Sequence, residues 1–255
     1  MKKLPLIILS LFCSSAFACE CARVGLIDRF ERADFVATAE IQKITPAGSD
    51  YHNIEIKVGE VFKGSSVNKL KIESILNSSC SFYTPEKSNW LIFAYKDSKL
   101  GLVFGSCSGS IQLDRKVNEE KYPEFNKKTE QSNQKKLSVL RFIKETEIDI
   151  KNDFRLNYTF LNNCLDKGKG FALEEGTFGL FKIWVSKELK VKAVTTIKGL
   201  GNESLNSIIN QCFKDNFELY YKDKSKISKA TEITVGIYFY GVEGEHQSFV
   251  TIFDL

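Results

Sequence analysis

IEIKVGEVFKG, residues 54–64, alternates apolar with polar side chains at the two-residue period of a half-buried strand. Ile54, Ile56 and Val58 share one face, and Glu55 and Lys57 take the other. The period breaks at Gly59 before Val61 and Phe62, and a glycine at such a break predicts a β-bulge. Working outward, Phe35, Ala37, Ala39 and Ile41 form a preceding strand. Leu70 and Ile72 carry a third, Trp90 to Tyr95 a fourth and Leu100 to Phe104 a fifth. Turn-rich pieces divide them: Pro46 to Asp50, Lys63 to Ser66, and Asp97 with Ser98. Five short strands at hairpin-like spacing predict a small antiparallel barrel or sandwich. A short helix is expected ahead of them, because Val24, Ile27 and Phe30 recur at helical spacing between Ala22 and Arg32.

Beyond the fifth strand the chain changes character twice. Residues 114–136 hold little that a core would accept, and Leu137, Leu140 and Ile143 then mark a short amphipathic stretch. Residues 114–150 are therefore expected to be a charged linker with a short helix, joining a barrel domain over 19–113 to a second domain over 151–255. In the second domain Phe181, Ile183 and Val185 form one strand and Val191 to Ile197 the next, before a break at Gly199 to Asn202. Leu205, Ile208, Ile209 and Cys212 fall at i, i+3, i+4 and i+7, a helix face with Cys212 on its buried side. Ile233, Val235, Ile237 and Phe239 form another strand and Phe249 to Phe253 a last one, which predicts a small α+β domain. Trp90 and Trp184 both lie on strand patterns and are expected in the core.

Residues 1–18, MKKLPLIILSLFCSSAFA, read as a secretory signal. Lys2 and Lys3 are its positive end, Leu4 to Phe12 its apolar core, and Ala16 to Ala18 its small-x-small cleavage site. The apolar core is shorter than the roughly 20 residues that span a bilayer. Lipoprotein processing would also leave Cys19 first, but it favours an aliphatic residue where Ala16 stands. The expected product is secreted or periplasmic, has no transmembrane segment and begins at Cys19. Loss of Lys2 and Lys3 takes 36 basic residues to 34 against 32 acidic, a balance that argues against nucleic acid or an anionic membrane as partner.

Six cysteines remain once Cys13 leaves with the signal, an even set suited to an oxidising compartment. Cys164 and Cys212 are the two in the second half and are expected to pair. Cys19 and Cys21 are too close to bridge each other without strain, so each is expected to reach Cys80 or Cys107, in either of two arrangements. Gly105 to Gly109 imitates a nucleophile elbow around Cys107, yet no helical pattern follows it. His52 and His246 are not spaced as metal ligands, and Glu119-Glu120 and Glu174-Glu175 read as surface acids. Neither an enzyme site, a cofactor nor an intrinsic metal is expected.

The mature terminus Cys19-Glu20-Cys21, the short helix, ADFVATAEI (33–41), IEIKVGEVFKG (54–64), NWLIFAY (89–95) and CSGS (107–110) together resemble the netrin-like domain, specifically that of tissue inhibitors of metalloproteinases, over Cys19 to about Leu113. The resemblance implies an OB-type barrel with bridges Cys19–Cys80 and Cys21–Cys107. It also implies an inhibitory wedge of Cys19, Glu20 and Cys21, in which the Cys19 amine and carbonyl chelate a target protease's zinc. An α-amine with a pKa of about 8 has a useful neutral fraction for this. Displacing the metal-bound water would remove the target's nucleophile. Two departures stand out: no cysteine lies between Val24 and Arg32, where the family has its third, and Glu20 replaces a small hydroxyl residue. A carboxylate at that place requires a polar or basic pocket in the target.

GTFGLFKIWVSKELKVKAVTTIKGLGNESLNSIINQC (176–212) followed by ITVGIYFY (233–240) resembles the periplasmic domain of TonB and its relatives. That resemblance implies partner binding by strand addition at an exposed sheet edge. The chain has four prolines in all and no proline-rich spacer, so energy coupling is not expected. The expected function is a non-enzymatic adaptor or scaffold that binds an envelope protein. The alternative is a zinc metalloprotease inhibitor.

Overall fold

The computed structural model describes residues 21–22, 24–74, 81–222 and 224–253. Helix α1 (Leu26–Arg32) leads into β1 (Phe35–Pro46), β2 (Tyr51–Lys63), β3 (Lys69–Glu73), β4 (Asn89–Asp97) and β5 (Gly101–Gly105). These strands close into a five-stranded barrel in the order β1-β2-β3-β5-β4, with β4 returning to β1. One pairing departs from the antiparallel expectation: β3 and β5 run parallel. A closed ring with an odd number of strands cannot alternate direction throughout, so one parallel contact is unavoidable.

The barrel interior holds Phe35, Ala37, Ala39 and Ile41 of β1, Ile54 and Ile56 of β2, Leu70 and Ile72 of β3, and Trp90, Ile92 and Ala94 of β4. The break read at Gly59 is a bulge. Ala37 faces Val61 and Ala39 faces Val58, so β2 carries one extra residue there. The Thr38 hydroxyl accepts the Glu60 N–H at 2.8 Å and satisfies the displaced backbone. The bulge also reverses which face each side chain takes, leaving Val61 packed on the barrel core and sending Phe62 outward.

Strand β4 is apolar on both faces. Trp90, Ile92 and Ala94 fill the barrel, whereas Leu91 and Phe93 join a second core outside it. This explains why residues 90–95 form a continuous apolar run instead of an alternating one. The second core also takes Leu26, Ile27 and Phe30 of α1, Phe178, Leu180 and Tyr238 from the C-terminal half, and Leu137, Val139, Leu140 and Ile143 of helix α2 (Phe125–Thr146). The segment expected as a charged linker with a short helix thus contains a 22-residue helix whose apolar face lies in a core shared by both halves. Its long polar face masked this in the sequence. Glu60, on the β2 bulge, accepts from Arg141 of α2 at 3.0 Å.

Strand β6 (Ile111–Gln112) adds to β4. After α2 come β7 (Asn157–Phe160), a 3-10 turn at Cys164–Gly168, β8 (Phe178–Val185), β9 (Val191–Lys198), α3 (Glu203–Asp215), β10 (Phe217–Tyr220), β11 (Thr231–Tyr240) and β12 (Phe249–Thr251). An antiparallel sheet runs in the order β12-β11-β8-β9, and β7 pairs with β10 as a separate ribbon. The Asn202 side chain caps α3 by accepting the Leu205 N–H at 3.0 Å. Leu205, Ile209 and Phe213 of α3 pack on Phe181, Ile183, Val185, Ile233, Val235 and Ile237. Cys164 and Cys212 are bonded, with a Cα–Cα distance of 5.8 Å, and pin the 3-10 turn to α3. Closing that 48-residue separation contributes about 4 kcal/mol in the chain-entropy account.

Helix α1 approaches the opposite side of β11, and Gly236 permits the contact. A Cβ there would stand 2.7 Å from the Tyr238 hydroxyl oxygen and 3.0 Å from Ile27 Cγ1. A small residue is therefore required where α1 crosses the sheet.

Candidate functional site

Of the expected wedge, Cys19 and Glu20 lie outside the described residues, as does Cys80, the implied partner of Cys19. Cys21 is exposed and bonded to Cys107, with a Cα–Cα distance of 5.2 Å. Cys107 sits in the turn after β5, and its sulfur is occupied by the bridge, so the nucleophile-elbow lookalike carries no thiolate.

That turn is tied down from several sides. Ser108 donates its N–H to the Gly105 carbonyl at 3.0 Å, and the Ser110 hydroxyl accepts the Phe93 N–H at 2.9 Å. The Tyr95 hydroxyl donates to the Ser108 carbonyl at 3.2 Å, and burial pushes that phenol above its ordinary range. Gly109 has φ +83°, and the Arg29 side chain of α1 lies where a Cβ would point, 2.4 Å from Cδ. Only glycine fits both demands. An open cleft of about 550 Å³, lined by Tyr51, Glu73, Tyr95, Val103 and Phe104, adjoins Cys107.

Helix α1 links this turn to the C-terminal half. Its Asp28 is buried and accepts from Asn152 Nδ2 and from the Tyr158 hydroxyl, each at 2.9 Å. Burial raises the Asp28 carboxyl above its usual range, opposed by those two hydrogen bonds. At the other end of α1 the Lys63 ammonium donates to the carbonyls of Phe30 and Glu31 at 2.8 and 2.6 Å, closing the helix C-terminus. Burial pulls Lys63 below its usual range, and the Glu31 charge opposes this.

The second candidate surface is the outer edge of β9. Among the described strands β9 pairs with β8 alone. The alternation of the sheet tells which of its groups are spent. Thr234 of β11 donates its N–H to Lys151, away from β8, so Lys182 opposite it points its backbone toward β9 and bonds Thr195. The backbone groups of Val194 and Thr196 consequently face outward.

Other residues singled out in the sequence are scattered. His52 is half-buried in β2, and His246 is exposed in a bridge with Glu243, far from it in the topology. Among the described residues no cluster of three His, Cys, Asp or Glu side chains forms a metal set. Trp90 is 4% exposed, but Trp184 is 47% exposed, a correction to its expected place in the core. Residue 184 has the opposite strand parity to Ile183 and Val185, and α3 covers only their face. Glu175 also differs from a plain surface acid. It accepts from the buried Lys135 ammonium at 3.0 Å and from the Gly241 N–H at 3.0 Å. No signal within the α2 sequence distinguishes Lys135 from its solvated neighbours.

No protein-family model and no curated protein matches this chain. Among the described residues no helix is long and apolar enough to cross a membrane.

Proposed function

We propose that this is a non-enzymatic, protein-binding adaptor or scaffold of the cell envelope, secreted or periplasmic, that docks an envelope protein along β9. The open outer edge of β9, with the backbone of Val194 and Thr196 unspent, carries the reading. Such a row of donors and acceptors is the template that strand addition uses. Support for an OB-type, netrin-like barrel comes from the ring order β1-β2-β3-β5-β4 with β3 parallel to β5. Support for a TonB-like module comes from the sheet strands β8, β9 and β11, with α3 following β9 and packed on one face of the sheet, while β10, between α3 and β11, pairs apart with β7. A photo-crosslinking residue placed at exposed Thr195 of the intact exported chain should capture a distinct envelope protein. The same residue at Lys127 on α2 should not. Identical products from both positions would overturn the docking assignment.

The second reading is inhibition of a zinc metalloprotease through the Cys19 amine and carbonyl, with Glu20 directed to the specificity pocket. The Cys21–Cys107 bridge favours it, because that bond ties the third position of the mature chain to the braced turn beside Arg29 and Tyr95. The mature chain should slow a zinc endopeptidase, and one extra residue ahead of Cys19 should abolish the effect. Equal potency with the extension would refute chelation.

A further inference from the structure

We infer that the β9 edge accepts an acidic, extended peptide segment of its partner, whose backbone pairs with Val194 and Thr196 while its carboxylates meet lysines gathered at the β8–β9 end of the sheet. This deepens the adaptor reading and rests on it. The gathering comes from two pieces of chain far apart in sequence. The β8–β9 turn brings Lys187, Lys190 and Lys192, all exposed. The segment before β11 brings Lys224, Lys226 and Lys229, also exposed. The two are held side by side because Ile227, buried in the α3 core, donates its N–H to the Lys187 carbonyl at 2.8 Å.

These cations differ from others on the same sheet. Lys151 and Lys182 both reach Glu232, at 3.0 and 3.3 Å, so the charge on that face is largely cancelled. None of the six lysines at the turn end forms a salt bridge among the described residues; Glu188 is the acid that shares the turn with them. Its carboxyl is held below the usual range by the local backbone and the Ser186 side chain, then by the Lys192 and Lys187 charges. Among the described residues one carboxylate stands among six ammonium groups. Counting Asp223 beside Lys224 in the sequence, the lysines still outnumber the acids six to two, an excess that an acidic partner would relieve.

Position converts the charge into a preference for a peptide. Lys190 and Lys192 flank the start of β9, where a register shift leaves Lys192 as an extra residue between Val191 and Ala193, so a strand laid along Val194 and Thr196 has its end close to both. A polyphosphate offers acceptors only and leaves the outward C=O groups of the edge unpaired. A peptide strand supplies N–H and C=O in alternation and satisfies both. Exposed Trp184 and Ala193 lie opposite one another on one sheet face and provide an apolar floor for alternate side chains.

The test uses the processed full-length protein and fluorescein-labelled EVEVEVEVE, followed by fluorescence anisotropy. Saturable binding is expected, weakening about tenfold as salt rises from about 50 to about 200 mM. The double substitution Lys190→Glu with Lys192→Glu should weaken it about tenfold or more, and the milder Lys190→Gln pair with Lys192→Gln should lie between. Both variants should keep the wild-type melting temperature, and the Gln pair carries the comparison if the Glu pair does not. The same peptide N-methylated at every residue, which removes the N–H donors of both strand edges, should not bind. If KVKVKVKVK binds as well as the acidic peptide and N-methylation abolishes both, edge docking stands and the acidic preference is overturned. If the N-methylated peptide, oligothymidylate or anionic phospholipid vesicles bind equally well, strand pairing is overturned and the lysines form a general polyanion patch. If none of the probes binds, both the preference and the edge are refuted.

Discussion

The Tyr158 hydroxyl donates to the Asp28 carboxylate at 2.9 Å, joining helix α1 to a ribbon strand 130 positions away. Asn152 Nδ2 holds the other oxygen at 2.9 Å while also donating to the Leu156 carbonyl at 3.0 Å. The pair makes the C-terminal half a support for α1, and through Arg29 for the turn that carries Cys107.

Asp28 has a folded-state value raised by burial, so the native state holds its proton to higher pH than the unfolded chain. Its contribution to stability is therefore largest in acid and declines as pH rises from the usual carboxylate range through the raised value. Chemical denaturation across that window should show this decline, and Asp28→Asn should flatten it. An unchanged slope would mean another group is responsible. Asp28→Ala leaves the Tyr158 hydroxyl without its acceptor and should cost about 2–3 kcal/mol, and Tyr158→Phe about 1–2 kcal/mol.

Because Leu91 and Phe93 of the barrel share a core with Leu140 of α2 and Leu180 of β8, the halves should unfold together. Scanning calorimetry should record a single transition, with Gly236→Val lowering it by driving Ile27 off β11. Two well-separated transitions, with the substitution moving only one, would contradict the shared core.

Lys135 and Glu175 form a pair with one buried member. Its ammonium also donates to the Phe239 carbonyl at 3.1 Å and lies 3.5 Å from the centre of the Tyr240 ring. Glu175→Ala strands that charge and the Gly241 N–H, so a loss of about 3 kcal/mol is expected. Lys135→Met should cost much less, and adding it to Glu175→Ala should recover part of the loss. Additive losses in the double-mutant cycle would show that the two are not coupled.

The two tryptophans should respond oppositely to acrylamide. Trp184→Phe should leave emission that resists quenching, since Trp90 is enclosed by the barrel beside Phe82. Trp90→Phe should leave emission that quenches readily. Equal quenching in both variants would contradict their placement.

Most strands and α3 were legible from spacing alone. Ile54, Ile56 and Val58 keep a period of two, and Leu205, Ile209 and Cys212 keep a helical one, whatever lies elsewhere in the chain. Even the bulge at Gly59 was visible, because a parity change must be absorbed locally. Of the expected wedge, Cys21 is placed by its bridge, whereas Cys19 and Glu20 are not among the described residues. Asp28 offered no usable signal, since one acid within LIDRFER looks like an ordinary first-turn carboxylate until Asn152 and Tyr158 arrive.

Periodicity, turn chemistry and cysteine count are properties of neighbouring residues, and the amino-acid order alone determined them. Which face of each element is covered depends on what packs there from a distance. Only the tertiary structure therefore decided that Trp90 is enclosed and Trp184 exposed, that α2 is a shared core helix, and that the chain folds five strands into a ring. The same holds for six lysines from two distant segments, which meet only because Ile227 docks beside Lys187.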